Sequence, residues 1–83
     1  MNYEIEIQKK ASKFIRTQSR DIQVRILNAI NKLPMGDCKA LQGHNSVYRL
    51  RVGDYRIIYE VKDDILVIVV IDIGSRGQIY KRF

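Results

Sequence analysis

The sequence predicts an α+β domain: a helical hairpin packed on one face of a small, mostly antiparallel sheet, in the order β-α-α-β-β-β. Three observations carry that class. Apolar residues recur at helical spacing twice between positions 7 and 33. From Val47 onward they alternate with period two, broken by short turn signals. With 83 residues the chain has room for one domain, 1–83, and not for two.

Tyr3-Glu4-Ile5-Glu6-Ile7 alternates and reads as the first strand. Ile7, Ala11, Phe14 and Ile15 then share one helical face, with Lys9, Lys10, Lys13 and Arg16 largely opposite. Thr17-Gln18-Ser19 interrupts the pattern, and Ser19 is placed to cap a second helix that has Asp21 in its first turn. Ile22, Ile26, Leu27, Ile30 and Leu33 form the stripe of that helix, and Pro34-Met35-Gly36-Asp37 stops it. Helices joined this tightly must double back. Residues 38–46 have no period and read as loop. Val47 to Val52 and Tyr55 to Lys62 read as strands around a Gly53-Asp54 turn. After Asp63-Asp64, Ile65 to Ile73 is apolar on both faces, as expected of an interior strand between the Tyr55 strand and the N-terminal one. The Phe14, Ile15, Ile22, Ile26 and Ile30 side chains are expected over Ile57, Tyr59, and Val67 or its strand neighbours.

Fifteen Lys and Arg against nine Asp and Glu leave a net charge of +6, and 46% of residues are hydrophobic, so the chain folds rather than serving as a basic tail. The lone Cys38 excludes an internal disulfide, and no Cys-x-x-Cys element is present to hold zinc. The longest apolar run, Ile65 to Ile71, falls far below the roughly 20 residues that span a bilayer. The N-terminus lacks a basic region followed by an apolar stretch. The expectation is a soluble, cytoplasmic protein without membrane contact. Asp63-Asp64 lacks converging partners and reads as a turn, not a metal site. His44 reads as a surface histidine and Cys38 as a semi-buried thiol. Phosphate-loop, zincin, nucleophile-elbow and dinucleotide signatures are missing, so neither metal nor cofactor is expected. The excess positive charge suits a polyanion or an acidic partner.

Arg49, Arg51 and Arg56 alternate onto the sheet face opposite Leu50, Val52 and Ile57. If Gly53-Asp54 is the turn, Arg51 lies directly across from Arg56, an arrangement that costs a few tenths of a kcal/mol or more. Stability does not ask for it. Arginine offers a planar fork for phosphate oxygens and stacks on bases. Arg76, Lys81 and Arg82 could extend this set, and Tyr48, Tyr55, Tyr59 and Tyr80 are interleaved with it. A merely soluble outer sheet face is the competing account. Lys9, Lys10, Lys13, Arg16 and Arg20 form a second cluster at helical spacing, able to track an RNA backbone or simply to solvate the helix.

The stretch Val47-Tyr48-Arg49-Leu50-Arg51-Val52-Gly53-Asp54-Tyr55-Arg56-Ile57-Ile58-Tyr59-Glu60-Val61 resembles the central hairpin of the RelE/ParE toxin superfamily, on its RelE branch. Leu41-Gln42-Gly43 before it and Ile73-Gly74-Ser75-Arg76-Gly77-Gln78-Ile79-Tyr80 after it continue the resemblance. It implies the toxin of a type II toxin–antitoxin pair, neutralised by a small cognate antitoxin whose complex binds operator DNA through the antitoxin. It further implies a metal-independent endoribonuclease that enters the ribosomal decoding site and cleaves mRNA by attack of a 2′-hydroxyl on the adjacent phosphate. By that resemblance Arg56 holds the scissile phosphate, Arg76 serves the leaving 5′-oxygen, and Tyr80 stacks on a base or takes part in catalysis. Arg49 stands where a lysine linked to base function is found, Arg51 matches a nearby basic residue, and Val47 replaces a second lysine. Arginine stays protonated far above neutral pH and is a poor general base there. The alternatives are a ParE-like inhibitor of DNA gyrase and an inactive toxin-like protein that only binds its antitoxin.

Overall fold

The two helical periods become α1 (Lys9–Arg16) and α2 (Arg20–Asn31) in the computed structural model, which describes residues 3–43 and 45–75. Each helix turns an apolar stripe inward: Ala11 and Ile15 of α1 and Ile26 and Ile30 of α2 are buried. Ser19 occupies the residue before α2, as expected, but its hydroxyl makes no capping bond. The link is tied instead by Gln23, whose amide donates to the carbonyls of Ile15 at 3.0 Å and Gln18 at 3.2 Å.

The strands are β1 (Glu4–Ile7), β2 (Cys38–Ala40), β3 (Val47–Val52), β4 (Tyr55–Lys62) and β5 (Val67–Ser75), arranged β1-β5-β4-β3-β2. Only β1 and β5 run parallel, so the sheet is mixed but mostly antiparallel, with β5 between β1 and β4 as expected. β2 corrects the loop reading of residues 38–46. Its three residues are too few to show a period, and they become a strand by bonding to β3, with Cys38 opposite Leu50 and Ala40 opposite Tyr48. At Gly36, just before it, φ is +121°, which favours glycine, and a Cβ would lie 2.9 Å from Leu50 Cδ1, so that side chain would have to move.

The Gly53-Asp54 turn forms as read, with Val52 opposite Tyr55 and Arg51 opposite Arg56. Gly53 has φ +56° while Asp54 stays at negative φ, which is the signature of a type II′ turn. In β5 the register slips between Ile58 and Tyr59: Ile58 faces Asp72, Tyr59 faces Val70, and Ile71 is the extra residue of a bulge. That slip lets Ile68, Val70 and Ile73 all reach the core, although they do not share one parity.

The core joins Ala11, Ile15, Ile26, Ile30 and Leu33 to Leu50, Val52, Ile57, Tyr59, Ile68, Val70 and Ile73. Phe14 and Ile22 pack at its margin. The helices therefore cover the expected face, and β5 contributes Ile68, Val70 and Ile73 beneath them rather than Val67. Each fully buried isoleucine is worth about 1.5–3 kcal/mol. The reading of β5 as apolar on both faces needs one correction. Asp72 is 1% exposed within it, its Oδ2 lies 3.4 Å from Lys10 Nζ, and its Oδ1 accepts the Ile73 N–H.

Candidate functional site

β3 and β4 position the arginines by strand parity alone. Because Leu50, Val52, Ile57 and Tyr59 point into the core, Arg49, Arg51 and Arg56 must point the other way. The short β2 adds a fourth cation to this face. Lys39 pairs laterally with Arg49, beside the Arg51–Arg56 pair, and three residues without a period give no sequence signal for it. The neighbour of Arg56 on β5 is Gly74, which brings no side chain to the face. Among the described residues no acidic side chain lies within ion-pair distance of Lys39, Arg49, Arg51 or Arg56.

Arg56 differs from its neighbours. It is 7% exposed, whereas Arg51 and Lys39 are exposed and Arg49 is half-buried. Its Nη1 donates to the carbonyl oxygens of Gly53 at 2.9 Å and Tyr55 at 3.0 Å. Those bonds occupy the two Nη1 hydrogens. Nε and Nη2, with three donors between them, have no partner among the described residues and match a fork onto two phosphate oxygens.

Tyr48, Tyr55 and Tyr59 do not share the face of these cations, which corrects the expectation for these three. Tyr48 and Tyr59 lie on the helix side and stack with ring centroids 5.6 Å apart. Tyr59 is 1% exposed, and burial raises its pKa well above the ordinary tyrosine value. Tyr55 meets Phe14 edge-on, and its hydroxyl donates to Gln18 Oε1 at 3.2 Å. None of the three presents a free ring to the arginine face.

The α1 cations form a separate surface on the helix layer. Lys9, Lys13 and Arg16 are exposed, Arg20 opens α2, and Lys10 is engaged by Asp72. A groove of about 310 Å³ between α2 and β3 has Leu50 and Val52 at its base and Arg25, Lys32 and Arg51 at its edge. Sequence reading missed Arg25, Lys32 and Asp72; an acid inside an apolar strand was the one available signal. Arg76, Tyr80, Lys81, Arg82 and His44 lie outside the described residues. No helix among the described residues is long and apolar enough to cross a membrane.

A helical pair over one sheet face, with arginines ranked on the other, defines a small α+β protein with a cationic sheet face. The model of the family described as ParE toxin of type II toxin–antitoxin system matches residues 5–80, and the chain belongs to that family. Toxin RelE3 of Methanocaldococcus jannaschii is 42% identical over 40 residues, which cover 48% of this chain and 44% of that relative, less than half its length. The RelE–RelB complex of Pyrococcus horikoshii superposes with a TM-score of 0.78 at 29% identity, covering 94% of this chain and 99% of that one. The RelB–RelE complex of Methanococcus jannaschii gives 0.73 at 29% identity, covering 94% and 98%. The isolated E. coli RelE toxin, 22% identical with a TM-score of 0.69 and 96% and 93% coverage, shares the fold. Within the RelE/ParE superfamily the chain lies on the RelE branch.

Proposed function

We propose that this chain is a ribosome-dependent endoribonuclease that cleaves mRNA in the decoding site and is neutralised by a cognate antitoxin in the cytoplasm. The observation that supports it best is the cation set Lys39, Arg49, Arg51 and Arg56 on the sheet face away from the helices, where Arg51 and Arg56 face each other against stability. In the reaction the 2′-oxygen attacks phosphorus and the bond to the 5′-oxygen breaks. The products are a 2′,3′-cyclic phosphate and a 5′-hydroxyl. Arg56 neutralises charge gathering on the pentacoordinate phosphate, Arg76 serves the departing oxygen, Tyr80 stacks or assists, and Arg49 aligns the nucleotide. Arg51, Lys9, Lys10, Lys13, Arg16, Lys81 and Arg82 hold RNA backbone, with Lys10 doing so at the expense of its pairing to Asp72. The antitoxin wraps the basic surface, and the pair binds operator DNA through the antitoxin.

The name of the matched family favours one second reading, inhibition of DNA gyrase. Toeprinting of mRNA on purified ribosomes, run beside a gyrase supercoiling assay, separates them. Cleavage with unaltered supercoiling is expected; intact message with arrested supercoiling assigns the gyrase role.

A further inference from the structure

We propose that the Gly53-Asp54 turn is a positioning device for Arg56, its central carbonyl holding the guanidinium in place and its turn type deciding whether that carbonyl is available. The proposal rests on the reading of Arg56 as the residue that meets the scissile phosphate. The oxygen bound by Arg56 Nη1 at 2.9 Å belongs to Gly53, the first central residue of the turn, so it sits on the turn's middle peptide. A long arginine side chain has much rotamer freedom to lose, and a second bond, to the Tyr55 carbonyl at 3.0 Å, removes more of it before any substrate arrives. An arginine fixed in this way presents its other edge in one orientation.

Types I′ and II′ both fit a two-residue hairpin, and they differ by a flip of this same middle peptide. In the II′ form found here, with φ +56° at Gly53, the carbonyl meets Arg56. An Asn-Gly pair would keep the hairpin in its I′ form and turn the oxygen to the opposite side. Hairpin stability thus asks only for a primed turn, whereas the bond to Arg56 asks for glycine first. The requirement at Gly53 is torsional. A Cβ there would meet only Arg25 Nη1, at an ordinary 3.6 Å.

The 83-residue chain is within reach of chemical synthesis, which permits a direct test. The parent is compared with Gly53→Asn combined with Asp54→Gly, with D-alanine in place of Gly53, and with Asp54→Asn as a charge control. Single-turnover cleavage of ribosome-bound mRNA gives the saturated rate and the half-saturating concentration. NMR gives the exchange of the Arg56 guanidinium protons. The Asn-Gly chain should keep its thermal midpoint and its half-saturating concentration. Its saturated rate should fall about tenfold to a hundredfold, and its Arg56 protons should exchange faster. D-alanine, which favours the II′ conformation, should restore both, and Asp54→Asn should match the parent. An Asn-Gly chain that cleaves at the parental rate, while Arg56→Ala is impaired, overturns the positioning role and leaves the nuclease reading standing. Arg56→Ala at the parental rate overturns the reading itself and this proposal with it. If the Asn-Gly chain does not fold, the parent alone decides: Arg56 protons exchanging as fast as those of exposed Arg51 overturn the proposal, and slower exchange supports it.

Discussion

On the helix side of the sheet, Leu50, Ile57, Tyr59, Ile68 and Val70 are each 2% exposed or less, packed among themselves and against Ile26 and Ile30. On the other side Lys39, Arg49, Arg51 and Arg56 stand close together, and Glu60, on the same face of β4, is outside ion-pair distance of all four. The same two strands, β3 and β4, build both faces, so local propensity cannot explain the difference. One face is selected by packing, and each residue on it gains from its neighbours. On the other, the four cations are kept against electrostatic cost and repel one another. Residues that a fold keeps despite such repulsion are where recognition and chemistry are to be sought.

Truncating each face separately should break the comparison cleanly. Ile57→Ala, in the packed face, should lower unfolding free energy by about 2–5 kcal/mol, measured by urea denaturation, because the cavity beneath the helices cannot collapse fully. Arg56→Ala should act mainly on the rate. Its unfolding free energy should fall by less, about 1–2 kcal/mol for the two lost backbone hydrogen bonds, while the saturated cleavage rate on ribosomes falls about a hundredfold, equivalent to roughly 3 kcal/mol in the barrier. An Ile57→Ala chain of parental stability, or an Arg56→Ala chain of parental rate, would remove the contrast.

A smaller effect sharpens the packed side. The buried Tyr59 hydroxyl keeps its proton above the ordinary value of 10.0, so the unfolded chain ionises first as pH rises. Its contribution is complete below about pH 10 and is lost progressively above it. Tyr59→Phe should flatten the decline in stability between about pH 10 and 12. An unchanged alkaline slope in urea titrations would count against this assignment. On the arginine side, Arg51→Glu turns a like-charge pair into an attractive one and should raise stability by a few tenths of a kcal/mol to about 1 kcal/mol. The gain should shrink in high salt. The smallest expected change is Lys13→Ala on exposed α1. It should leave both stability and saturated rate alone and reduce the salt slope of ribosome association by about one.

Much of this molecule was legible in its sequence because period and parity are local properties. The helical stripes through Ile15, Ile26 and Ile30, the Gly53-Asp54 register and the outward arginines all follow from spacing along one strand or helix. The hairpin motif from Val47 to Val61 likewise points to the family from residue types alone. What tertiary structure decided depends on contacts between segments distant in sequence. Cys38–Ala40 became a strand only because the edge of β3 lay beside it, and that pairing brought Lys39 next to Arg49. The extra residue at Ile71 let three β5 side chains reach the core, and Asp72 found Lys10 more than sixty positions earlier. The backbone hold on Arg56 depends on which way a single peptide plane faces, a torsional choice that residue types permit and only the folded hairpin makes.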